Sequence, residues 1–181
     1  MPAEFLKLIV EKEWFKKPIL HTQREVDRMS DRETALRFIA FQRKRFSEYK
    51  PHISEFLDEA MTDIYEITTH KREIYLKEME SIFNVLYSVF DNHAFSRSMF
   101  DDSRQYGHNS IIFELMTYGV SILPSDKRNL LATPELKFKE TVINHFISKP
   151  HRFWETDYSY TQENLRKRFE EIEQLVKKII K

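Results

Sequence analysis

Apolar residues along this chain recur at helical spacing, separated by short polar breaks. Tyr75, Met79, Ile82, Leu86 and Val89 are spaced 4, 3, 4 and 3, which predicts one long helix from about His70 to Phe90. Leu165, Phe169, Ile172, Val176 and Ile179 repeat that spacing and predict a last helix from Thr161 to Lys181. An amphipathic opener from Ala3 to about Phe15 carries Phe5, Leu6, Leu8, Ile9 and Val10. A further helix, roughly His52 to Ile67, follows Pro51 and holds Ile53, Phe56, Leu57, Ala60, Met61 and Ile64. Ser110 to Leu123 is apolar almost all round, as expected of the centre of a bundle.

The breaks have their own chemistry. Ser30-x-x-Glu33 reads as a capping box opening a helix from Asp31 to about Ser47, and Ser159-x-x-Gln162 reads as a second one. Inside the first of these helices Arg37 is the long cation in an apolar run, so it must snorkel out or meet a carboxylate. Thr133-Pro134 predicts a helix start with proline in the first turn, running to about Ser148. Asp91 to His108 shows no periodic pattern, and Gly107 is placed to turn the chain into the next helix. The expectation is an all-α single domain over residues 1–181, a bundle of about seven helices.

Composition narrows the function. There are only two glycines, Gly107 and Gly119, too few for the tight turns and phosphate approaches of Rossmann, P-loop or hairpin folds. There is no cysteine, which removes disulfides, thiol nucleophiles and thiolate metal sites together. Lys plus Arg equals Asp plus Glu at 29 each, against a dedicated nucleic-acid binder. No apolar run approaches the roughly 18 residues of a membrane span, and the N-terminus lacks a signal-peptide pattern. A soluble, cytoplasmic protein is expected.

Several pieces, taken in order, resemble the helical half of the GmrSD-type family. They begin with Arg28-Met29-Ser30-Asp31-Arg32-Glu33 leading into Leu36-Arg37-Phe38-Ile39-Ala40-Phe41. Tyr49 follows, then Ile53 with Phe56-Leu57, the Met79-to-Phe90 helix, and the Asn92-His93-Ala94-Phe95 break. Asn109 with Ile112-Phe113-Glu114, and Thr161 through Leu165 to Arg168-Phe169, complete the match from about Phe5 onward. Members of that family place a ParB/sulfiredoxin-like nucleotide-hydrolysing half before this region. In several, an HNH-type nuclease half completes a restriction enzyme against modified phage DNA. The Asp-Gly-Gln-Gln-Arg motif of the nucleotide half does not occur here, so that chemistry is not carried over. The resemblance implies a non-catalytic helical module that packs against a protein partner domain or forms a homo-oligomer. The opener and the last helix, with their apolar stripes, are the expected docking faces.

Candidate chemistry is sparse. The seven histidines include no i, i+4 pair flanking a glutamate, so no helical zinc site is predicted, and no cofactor or small-molecule substrate is identified. Asp31, Arg37 and Asn109 form a candidate polar interaction cluster. Their structural alternatives are an i, i+4 pair of Glu33 with Arg37 and a helix cap at Asn109. Arg43, Lys44, Arg45 and Arg152 sit among aromatic residues, and Arg166, Lys167 and Arg168 lie together on the last helix. Such clusters suit weak contact with a phosphate backbone, solvated helix faces being the alternative. Arg104 and His108 loosely resemble the Arg…His signature of HEPN ribonucleases, with three intervening residues against the usual four to six. A metal-independent ribonuclease is therefore the competing expectation.

Overall fold

A computed structural model describes residues 1–19, 29–43, 49, 52–100, 107–150, 153 and 160–181. Nine α-helices occur among them: α1 (Pro2–Val10), α2 (Glu13–Lys16), α3 (Ser30–Arg43), α4 (Ile53–Tyr65), α5 (Thr69–Phe90), α6 (Ser110–Ser121), α7 (Ser125–Arg128), α8 (Phe138–Ile147) and α9 (Gln162–Ile180). The described residues contain no strand, only an isolated bridge between Ser96 and His108. The fold is all-α, with two more helices than the periodicity suggested.

The central helix is α6. Ile111, Ile112, Phe113, Leu115, Met116 and Val120 are all buried on it, and it packs against α3, α5 and α9. Against α9 the approach is tight at Gly119. A Cβ at that position would lie 2.7 Å from Cγ1 of Ile172, so only glycine lets the two helices approach this far. The other glycine plays no such part: Gly107 has no positive φ, and a Cβ there would meet nothing within 4 Å.

Left-handed turns fall instead to non-glycine residues. Met29 (φ 58°), His52 (φ 94°), Asp91 (φ 55°) and Lys137 (φ 46°) each stand at the end of a helix or 3-10 turn. These junctions are where sequence boundaries failed. The opener is two helices, because the chain turns after Val10 to bring Trp14 and Phe15 onto the Phe83 ring, at 5.4 Å each. Thr133-Pro134 starts only a 3-10 turn over Pro134–Leu136. Lys137 then breaks direction, and α8 begins at Phe138, whose ring packs 5.8 Å from Phe90.

Both expected capping boxes are also corrected. Ser30 lies inside α3, not before it, and the Glu33 carboxylate takes the Arg37 guanidinium. The cap of α9 is Thr161, whose hydroxyl accepts from the Asn164 N–H, and Ser159 lies outside the described residues. The helix cap given as the structural alternative at Asn109 is present, and a further cap is found at Thr68. Thr68 caps α5 through Lys71 N–H, and Asn109 caps α6 through the N–H groups of Ile111 and Ile112.

Candidate functional site

The most unusual chemistry lies in the interior, where α3, α6 and the start of α9 meet. On α6, Glu114 follows Phe113 into the interior, and its side chain is 1% exposed. Its Oε1 accepts from Arg37 Nη1 at 2.7 Å and from the Tyr160 hydroxyl at 2.6 Å. The Tyr160 oxygen in turn accepts from Arg37 Nη1 at 2.7 Å, so the three groups close a triangle of short, charge-assisted bonds. Arg37 also donates Nε and Nη2 to Glu33 Oε1, at 2.9 and 2.7 Å, one turn back on α3. Tyr49 donates its hydroxyl to the Tyr160 carbonyl at 3.1 Å. Arg168, buried on α9, lays its guanidinium 5.8 Å from the Tyr160 ring and 5.9 Å from the Phe153 ring.

The electrostatics of this centre follow from burial against pairing. Burial opposes the charged form of Arg37, but Glu114, Tyr160 and Glu33 outweigh it and hold the guanidinium above its ordinary range. Burial pushes the Glu114 carboxyl up, and Arg37, Tyr160 and Arg168 pull part of the way back. Burial pushes the Tyr49 phenol up to about 12, with Glu114 adding to the shift, and carries Tyr160 well above its usual value. Arg168 is drawn down by burial. Two buried cations thus face one buried carboxylate and the half-exposed Glu33. The arrangement braces three elements; both hydrogen bonds fall on Oε1, while Oε2 is buried with no hydrogen-bond partner among the described residues.

Of the predicted polar cluster, Arg37 is in this centre, while Asn109 is a helix cap and Asp31 accepts from its neighbour's backbone N–H, Arg32 N, at 2.7 Å. The structure does not bring the three together around a shared partner. Arg166 and Lys167 lie on the outer face of α9, paired to Glu170 and Glu163 one turn away. Arg168, grouped with them in the sequence, is a correction: it points into the core at 2% exposure. Lys44, Arg45, Arg152 and Arg104 lie outside the described residues, as does the side chain of Arg43. His108 packs edge-on against Phe113 and Phe95, at 5.5 and 6.4 Å, with Nε2 3.5 Å from the Thr34 hydroxyl.

Sequence reasoning found Arg37 but missed its principal partners. The signal was present: Glu114 is the lone carboxylate of a helix apolar on every side, and an apolar helix carrying an unmatched cation lies elsewhere in the chain. Nothing in the local pattern distinguished Arg168 from its exposed neighbours.

Most of each expected docking face is used internally, Leu8 of α1 being the exposed exception. Phe5, Leu6, Ile9 and Val10 of α1, and Leu165, Phe169, Ile172 and Val176 of α9, are all buried within this chain. Among the described residues no group of three or more His, Asp or Glu side chains is placed to hold a metal ion, and no helix is long and apolar enough to cross a membrane. Surface hollows among the described residues include two, one of about 620 Å³ between the end of α5 and α8, the other of about 460 Å³ between α1, α2 and the start of α3. No family model, curated protein or solved structure matches this chain.

Proposed function

We propose that this chain is a non-catalytic helical interaction module, similar to the helical part of GmrSD-type defence proteins, that packs against a partner domain or a second copy of itself. The observation that carries this reading is the fate of its polar side chains. Arg37, Glu114, Tyr160, Asn109, Arg166 and Lys167 each have an intrachain partner that explains them. The residues that carry the family resemblance also support it, because they sit at structural joints. Arg37 and Glu114 form the ionic centre, Asn109 and Thr161 are caps, and Phe169 lies in the core against Phe41 and Tyr118.

Light scattering on the chain alone, and mixed with the separately expressed nucleotide-hydrolysing half of a GmrSD-type protein, tests the reading. A dimer or a heterocomplex, with no turnover of RNA or nucleoside triphosphate, is the expected outcome. A monomer under both conditions contradicts it. So does RNA cleavage that disappears in a folded His108→Ala variant.

A further inference from the structure

The two surface hollows differ in how their charges are used. In the hollow between α1 and α2, Lys7 pairs with Glu11 and Lys16 with Glu13, so the rim is neutralised from within. In the larger one, at the end of α5, the floor is apolar: Val89, Leu131, Phe138 and Ile143. Lys137 and Lys139 stand on its rim, both exposed, and neither forms an ion pair among the described residues. Lys149, Lys167 and Lys177 do form such pairs. Glu140 contributes the one carboxylate of the lining, so the rim keeps a positive surplus.

The apolar floor does not stop at the hollow. Ile147 is one helical turn beyond Ile143 on the same face of α8 and is 56% exposed, among the most exposed large apolar side chains described. An enclosed pocket buries roughly 70–90% of a small molecule. This hollow is open along one side and continues as a stripe down α8, which suits a length of polypeptide laid across it. An apolar segment laid there would cover Val89, Ile143 and Ile147, and acidic residues beside it would answer Lys137 and Lys139.

We propose that the α5–α8 groove is the docking surface for an acidic, amphipathic peptide segment of a partner protein. This rests on the reading of the chain as an interaction module and names the face it uses.

Selection of random phage-displayed peptides on the immobilised full chain tests it, followed by fluorescence polarisation of the enriched peptides. Enriched sequences should pair bulky apolar residues with Asp or Glu. Ile147→Glu, at an exposed position and with folding checked by circular dichroism, should weaken binding about tenfold. Lys137→Glu with Lys139→Glu should weaken it about fivefold and flatten its salt dependence. Ile143→Glu should abolish it. Failure to enrich any peptide, enrichment of basic peptides, or undiminished binding to these variants overturns the assignment of the groove. So does a dimer of the chain that Ile147→Glu dissociates, since the occupant would then be a second copy. Those results leave the module reading standing; catalytic turnover, which the light-scattering samples also report, contradicts the module reading whatever the groove binds.

Discussion

Arg37 and Phe38 are neighbours on α3, as are Phe113 and Glu114 on α6, yet each pair divides between two different interiors. Phe38 and Phe113 turn toward Phe83, where Trp14, Phe15 and Phe95 complete a dry ring cluster with centroids 5.4 to 5.9 Å from it. Arg37 and Glu114 turn toward Tyr160, where short hydrogen bonds replace ring contacts. The roughly 100° between successive residues of a helix is enough to send one to each centre. The dry centre is forgiving, since rings of similar volume can exchange at modest cost. The ionic centre is not, because removing one member strands a charge where no water can reach it.

The sharpest way to separate the two centres is to damage each. Glu114→Leu should cost about 3–5 kcal/mol in urea denaturation, because Arg37 and Arg168 then face each other across a buried site without its carboxylate. Phe83→Ala should cost a similar amount, about 3–5 kcal/mol, through the cavity it leaves. The remedies differ. A second substitution, Arg37→Met, should restore most of the loss at the ionic centre, whereas no single neighbour of Phe83 refills a missing ring.

A smaller effect is expected where the two sides of the molecule are clamped together. Gly119→Ala forces a methyl group against Ile172 and should cost about 1–3 kcal/mol, read as a lower urea midpoint with unchanged slope.

Alkaline titration distinguishes the ionic centre from the ring cluster around Phe83. Tyr49, raised to about 12, and Tyr160, raised further, bind their protons more tightly folded than unfolded. Their contribution to stability is complete below about pH 10, the ordinary tyrosine value, and is lost as pH rises through the folded values. Tyrosinate absorbance should therefore rise in an early reversible phase from exposed rings and a late phase coincident with unfolding. Tyr49→Phe should remove amplitude from the late phase only. Least affected of all should be the outer face of α9: Arg166→Gln with Lys167→Gln is expected to change stability by less than about 0.5 kcal/mol, since both belong to exposed one-turn pairs.

The contrast also explains what could be read from the sequence. The dry parts of the fold were legible because burial repeats every three or four residues, and the stripes of α5 and α9 lie where their spacing put them. Boundaries at Val10, Ser30 and Lys137 were not, since tertiary ring packing and left-handed turns at non-glycine residues decided them. At the ionic centre, Arg37 announced itself by interrupting an apolar run. Arg168 did not, because a basic residue between Lys167 and Phe169 on an amphipathic helix looks the same whether its position faces inward or outward. The partnership of residues 37, 114 and 160 is spread along the chain, and no local spacing encodes it. The same limit applies to the stripes of α1 and α9, most of which this chain covers itself: a stripe shows that a helix will be covered, not which part of the chain covers it.

The central claim is that the charged residues at the heart of this molecule brace the scaffold as a coupled set. A double-mutant cycle on Arg37→Met and Glu114→Leu, followed by urea denaturation, tests it most directly. The account predicts two costly single variants and a double variant that recovers most of the lost stability, a strong coupling between the sites. Losses that simply add would contradict it.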